Sequence, residues 1–214
     1  EVQKRVKKYY DRESLVVYPP VGFQKTQNTQ SFRRSDVSEY QKVRRSEFSE
    51  YSGNYFLIVS RLVPYKRIDL AFEAFNKLKL TLKIIGTGSE KERLKQMAGP
   101  TIEFLGNLTD KELVRYYSSC RALIFPGIED FGLTILEAQS FGKPVIAFRA
   151  GGALETIIDG KTGIFFNEQN IESLIVAIKQ FNNLTINPKD CIENAEKYSF
   201  ERFEKEFMRS ILNF

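Results

Sequence analysis

The sequence contains no histidine and no tryptophan, only two cysteines, and no long apolar run. Lack of histidine excludes imidazole-based zinc chemistry and histidine-dependent catalytic triads within these residues. Cys120 and Cys191 are too few for a disulfide framework and lack metal-ligand spacing, which fits a reducing, cytoplasmic compartment. No stretch reaches the roughly 20 apolar residues of a membrane span, and none reads as a signal peptide. Despite a net charge of +5 there is no Lys/Arg block of five. The densest spots are Lys4-Arg5 with Lys7-Lys8, Arg33-Arg34 and Arg44-Arg45, and aromatics do not interleave with them as a single-strand stacking platform requires. Nucleic acid is therefore a poor partner, and small anionic ligands or an anionic membrane surface account better for the charge.

What is present is ordinary globular material, 42% hydrophobic and 28% charged over 214 residues, enough for one good-sized core with appendages. The chain begins at Glu1 rather than Met, so it reads as a fragment. Residues 1–22 read as a basic helix over 1–10, a break at Asp11-Arg12-Glu13-Ser14, and an extended stretch over 15–18. Residues 23–54 are polar and of mixed charge with few aliphatics, so they bury little; they read as a linker or surface excursion, partly helical around 37–48.

From Tyr55 the pattern changes. Apolar runs over 55–59, 81–85, 101–105, 122–125, 144–148 and 163–166 have strand character. Between and after them, helical periodicity covers 67–78, 90–97, 110–118 with Thr109 as cap, 133–141, 153–158 and 171–181. Strict alternation predicts an α/β fold over 55–185: a Rossmann-like parallel sheet with right-handed crossovers and helices on both faces. Residues 186–214 form a C-terminal helical segment, amphipathic from 190 and broken at Tyr198-Ser199, whose Phe200, Phe203, Phe207 and Phe214 need a surface to cover. The loops over 60–66, 86–89, 106–109, 126–132 and 149–153 all follow strands, so they share the rim where such sheets bind ligands.

The informative stretch is 126–138. Pro126-Gly127 stops a buried strand, and from Gly132 an amphipathic helix follows whose first turn leaves backbone N–H groups unpartnered and partially positive. That end suits a phosphate. Glu129 precedes the helix and Glu137 lies in its second turn, about 12 Å of axial rise away at most. A nucleotide sugar has the matching layout: hexose for one carboxylate, diphosphate for the helix end, ribose for the other carboxylate.

These residues resemble a known family. Glu129 and Glu137, with Phe131-Gly132-Leu133 between them, are similar to the paired-glutamate motif of retaining family-4 glycosyltransferases of the GT-B fold, nearest in wording to surface-polysaccharide mannosyltransferases. Ser60-Arg61-Leu62-Val63-Pro64-Tyr65-Lys66-Arg67-Ile68-Asp69 resembles the family's phosphate-binding loop, and Gly86-Thr87-Gly88-Ser89-Glu90 its second loop. The resemblance runs from Tyr55 to Phe181, with an echo at Val16-Val17-Tyr18-Pro19-Pro20-Val21. It implies the donor-binding half of a GT-B enzyme, residues 1–22 ending the N-terminal domain. That enzyme would transfer a hexose, mannose from GDP-mannose by preference, without a metal or a cofactor. The acceptor would be a glycan or lipid-linked and reached through an N-terminal domain; peripheral contact with an anionic membrane at its inner face is the further partner implied.

By resemblance, Arg61 and Lys66 stabilise the departing diphosphate with the backbone of Gly132 and Leu133. Glu129, with Asp130 and Phe131, contacts the donor hexose, and Glu137 the ribose diol. Gly86, Gly88, Gly106 and Asn107 face the base. Each has a plainer alternative. Arg61 and Lys66 are equally readable as solvated loop charges, Glu129 as a helix cap, Glu137 as a solvent-facing helix charge, and both glycine pairs as turn geometry. Arg149-Ala150-Gly151-Gly152 reads either as a further set of N–H groups or as a tight turn before a helix. A non-catalytic nucleotide-sugar module and a GT-B nucleotide-sugar epimerase remain the alternative functions.

Overall fold

A computed structural model describes residues 2–21 and 53–212. The excursion expected over 23–54, with its helix around 37–48, falls outside the described residues apart from its last two positions, as does Phe214. Helix α1 (Val2–Tyr10) comes first. Strands β1 (Tyr55–Val59), β2 (Thr81–Ile85), β3 (Ile102–Gly106), β4 (Leu123–Phe125), β5 (Val145–Phe148) and β6 (Gly163–Phe166) then form one parallel sheet in the order β3-β2-β1-β4-β5-β6. The strands alternate with α2 (Ile68–Leu78), α3 (Lys91–Met97), α4 (Asp110–Ser119), α5 (Leu133–Ser140) and α6 (Ala153–Thr156), and are followed by α7 (Ile171–Asn182), α8 (Pro188–Glu196) and α9 (Phe200–Leu212).

This is the α/β architecture that strand–helix alternation predicts. Its consequence for function is the reversal at β1: the chain builds outward through β2 and β3, then returns to place β4 on the other side of β1. Loops leaving β1 and β4 therefore diverge to opposite faces and open a crevice at the carboxyl edge of the sheet.

Period-two burial along the strands produces two cores. Phe56 and Ile58 face α2, α3 and α7 with Phe72, Phe75, Leu94, Leu174 and Ile178, while Tyr55 and Leu57 face α4, α5 and α6 with Val114, Tyr117, Ile135 and Ala153. Phe56, Phe72 and Phe75 are fully buried, each contributing about 1.5–3 kcal/mol by burial.

Element boundaries shift where local backbone chemistry decides them. Helix α2 starts at Ile68 because Arg67 takes a left-handed conformation (φ 50°, ψ 39°) after a 3₁₀ turn, Pro64–Lys66. Helix α8 starts at Pro188, two residues before the expected start, because the Asn187 side chain accepts the Lys189 N–H and proline is pre-set for a first helical position. Helix α8 packs along α5 with Cys191, Asn194 and Ala195 buried. The break expected at Tyr198-Ser199 separates α8 from α9. No residue of α9 is buried, and its Phe203 ring meets Phe200 and Phe207 of the same helix at 6.4 and 5.6 Å. No helix among the described residues is long and apolar enough to cross a membrane.

Candidate active site

Two loops meet across the crevice. The loop after β1 is tied to the loop after β2: the Leu62 N–H donates to the Thr87 carbonyl and the Glu90 N–H to the Leu62 carbonyl, both at 2.9 Å. A Cβ on Gly86 would lie 2.0 Å from the Ser60 carbonyl oxygen, and one on Gly88 2.2 Å from that of Leu62, so both glycines are required by close backbone approach. The Gly86 N–H reaches the Gly106 carbonyl at 2.8 Å, which aligns Gly106 and exposed Asn107 on the same rim.

The 3₁₀ turn delivers Lys66 toward the loop after β4. There Gly127 sits so close that a Cβ would be 2.8 Å from the Lys66 Cα. The Lys66 ammonium pairs with the Glu129 carboxylate, the two side chains being 17% and 23% exposed. Burial, with the Arg61 guanidinium nearby, holds Lys66 below the usual lysine range. Arg61 itself is exposed, and its side chain makes no ion pair with the other described residues. Gln169 pins the start of the loop by donating from its amide to the Pro126 carbonyl at 2.9 Å.

The Glu129 loop is also buttressed from behind. The Gly152 N–H donates to the Glu129 carbonyl at 2.7 Å, and a Cβ on Gly152 would meet the Phe131 Cα at 2.3 Å. The loop ends at Gly132 in a left-handed conformation (φ 86°, ψ 60°), which opens α5. Among the described residues the N–H groups of Leu133 and Thr134 meet no acceptor, which leaves the positive end of α5 open three residues after Glu129, the partner of Lys66.

In the second turn of α5, Glu137 receives the Tyr117 hydroxyl from α4 at 2.7 Å. Burial raises the Glu137 carboxyl above its ordinary range, the Tyr117 bond opposes that rise, and Asp110 adds to it. Helix α5 is locked from the far side: the Asn194 amide donates to Gln139 Oε1 at 2.7 Å, and Gln139 donates to the Thr156 carbonyl at 2.9 Å, all buried.

The sequence matches the Glycosyl transferases group 1 family over residues 39–198. The chain belongs to that family. This group 1 chain is 29% identical over 157 residues to an uncharacterized glycosyltransferase of Methanocaldococcus jannaschii, covering 71% of this chain and 45% of the relative. It is 26% identical over 212 residues to O-antigen chain mannosyltransferase C of Escherichia coli, covering 95% and 54%. The chain spans about half the length of these curated relatives. Its fold is that of Anabaena HepE, solved in complex with UDP-glucose, with TM-score 0.67 and 21% identity over 86% of this chain and 54% of that one. The sheet is thus one half of a GT-B fold.

Of the residues the family resemblance selects, the structure pairs Lys66 with Glu129, sets Arg61 near Lys66, and opens α5 at Gly132, three residues after Glu129. Leu133 presents backbone there while its side chain is 43% exposed. Asp130 and Phe131 have partners elsewhere: Arg5 of α1 binds Asp130 at 2.7 Å, and the Phe131 ring stacks on Tyr18 at 5.4 Å and meets Tyr198 edge-on at 5.5 Å. Sequence reasoning did not find Tyr117, Gln169, Arg5 or Tyr198 as parts of the site. Only the inward position of Tyr117 on an amphipathic helix hinted at it, because all four act through contacts far apart in the chain. Among the described residues no three His, Cys, Asp or Glu side chains cluster as a metal site.

Proposed function

We propose that this chain is the donor-binding half of a retaining glycosyltransferase, moving a hexose from a nucleoside diphosphate sugar to a hydroxyl of a glycan or lipid-linked acceptor. The observation that carries this reading is the Lys66–Glu129 pair lying across the switch point beside the open end of α5. As the bond from the anomeric carbon to the diphosphate breaks, negative charge grows on the leaving group. Lys66, Arg61 and the N–H groups of Gly132 and Leu133 are fixed donors that stabilise that charge more than they stabilise the intact donor. With a donor bound, the phosphate takes the Lys66 ammonium and the hexose hydroxyls take Glu129, on a loop that Asp130 and Phe131 brace through Arg5, Tyr18 and Tyr198. These cations and the helix end do the work of a metal, and no cofactor takes part.

Glu137 accepts the ribose diol, and the rim at Gly86, Gly88, Gly106 and Asn107 lies against the base. GDP-mannose is the favoured donor, in keeping with the mannosyltransferase among the relatives. The acceptor enters from the half of the protein that this chain lacks, at the cytoplasmic face of an anionic membrane. The isolated chain therefore binds donor weakly and transfers little, because a cleft shut by two halves supplies positioning and excludes water.

Calorimetric titration of the intact protein with GDP, UDP and ADP, and with their sugars, tests the reading. GDP binding lost in Lys66→Ala and Arg61→Ala variants is the expected result. Tight UDP binding with none for GDP removes mannose as the donor. Failure of every nucleotide to bind overturns the transferase reading.

A further inference from the structure

Tyr117 is a fully buried tyrosine whose one polar side-chain atom has a single destination. It lies on the inward face of α4 with no exposed surface, and its ring stacks on Phe141 at 5.7 Å and 8°. Its hydroxyl donates to Oε2 of Glu137 at 2.7 Å. Phenylalanine would satisfy packing alone, since a buried hydroxyl costs desolvation that only a hydrogen bond recovers. Here that bond goes to the one acid of α5.

A carboxylate offers about four acceptor sites on two oxygens, and its last torsion is soft. A donor held in a packed ring fixes that torsion and leaves Oε1 and the second site on Oε2 for other donors. The same bond favours the ionised carboxylate, the form that accepts from hydroxyls. The groups facing Glu137 from α4 are Tyr117 and Asp110, and β4 and β5 contribute no ionisable side chain. Helix α6 brings Glu155, which bonds Tyr18. Helix α8 brings Glu196, a Lys189–Glu193 pair at 3.5 Å, and Asp190, which is bound to Lys161 at 3.2 Å.

We propose that Tyr117 is a positioning residue for ribose: its hydroxyl orients the Glu137 carboxylate so that the pocket selects a nucleotide with an intact vicinal diol over its deoxy analogues. The proposal rests on the reading of Glu137 as the ribose contact.

The test is calorimetry on the intact protein, using whichever of GDP, UDP and ADP binds most tightly, its 2′-deoxy and 3′-deoxy forms, and inorganic pyrophosphate. Wild type, Tyr117→Phe and Glu137→Gln are compared as pH falls from neutral toward the ordinary carboxyl value of 4.5, the side on which burial raises Glu137. Wild type should prefer the ribonucleotide by at least about tenfold, the value of a hydrogen bond to a charged group. Tyr117→Phe should cut that preference about threefold or more and leave pyrophosphate affinity unchanged. It should also move the acid loss of nucleotide affinity to higher pH, because the charged form of Glu137 has lost its donor. An unchanged preference and pH profile overturn the proposal. If Glu137→Gln also keeps the wild-type preference, the ribose reading of Glu137 falls first and the Tyr117 proposal with it. Should Tyr117→Phe fail to fold, a fluorinated tyrosine at position 117 keeps the ring and strengthens the donor. It should shift the acid midpoint downward, and no shift overturns the proposal.

Discussion

Lys66 and Glu129 form an ion pair across the crevice between β1 and β4, although 63 positions separate them in the chain. Each side chain is less than a quarter exposed, so removing one partner leaves a poorly solvated charge. Lys66→Met and Glu129→Gln should therefore each destabilise the protein. The double variant should lose less than the sum of the two, with a coupling of roughly 0.5–3 kcal/mol. Chemical denaturation of the four proteins measures it. Additive losses would mean that the pair contributes nothing as a pair.

Glu137 sets stability against binding. Its folded carboxyl titrates above the ordinary value of 4.5 because of burial. A raised carboxyl favours the folded state while protonated, and that contribution is lost as pH rises through the folded value. Once ionised above its folded value Glu137 thus costs stability, and Glu137→Gln, which keeps an oxygen to accept the Tyr117 hydroxyl, should raise Tm there. The gain should shrink as pH falls toward 4.5, while nucleotide affinity at neutral pH drops about tenfold. Thermal melts over that pH range, paired with calorimetry, check both signs.

Gly127 matters for approach rather than for conformation. Its Cβ would meet the Lys66 Cα at 2.8 Å, a contact with backbone that cannot swing away. Gly127→Ala should force the two loops apart and lower donor affinity by more than tenfold, an effect of about 1.4 kcal/mol or more. Gly160→Ala is the control. There φ is +72° with nothing within 4 Å, so it should cost about 1 kcal/mol of stability through backbone strain and leave donor binding intact.

Residues of the N-terminal segment hold the donor loop through rings more than through charge. The Arg5–Asp130 pair is about half exposed on both sides, so Arg5→Ala should change stability by less than about 0.5 kcal/mol. Tyr18 stacks on Phe131 and meets Tyr198 edge-on at 5.6 Å. A Tyr18→Ala, Phe131→Ala double-mutant cycle should show a coupling of roughly 0.5–1.5 kcal/mol. Equilibrium unfolding of these variants separates the two contributions.

The sheet and its helices were legible because each strand is a short apolar run and each helix carries a 3.6-residue stripe, both local properties. Thr109 shows the same locality: its side chain caps α4 by accepting the Glu112 N–H, and Glu112 returns the bond. The site was half legible. Glu129, Gly132 and Glu137 occupy one loop and one helix, so their spacing alone sets their relation along the chain. Gly86, Gly88, Gly151 and Gly152 were ambiguous in the sequence, since a turn and a close approach both call for glycine. The structure assigns Gly88 and Gly152 to close approach, of the Leu62 carbonyl and of the Phe131 backbone, and gives Gly86 and Gly151 both a positive φ and such a contact.

By itself, then, the chain's order of residues determined the alternating α/β fold and the family's paired acids around a helix start, because period and spacing are written along one dimension. Only the tertiary structure decided that Lys66 faces Glu129, that Tyr117 bonds Glu137, and that Asp130 and Phe131 are held by Arg5, Tyr18 and Tyr198. Those contacts depend on the strand order reversing at β1 and on helices packing face to face, and the distance between two side chains across such a crevice has no counterpart in their separation along the chain.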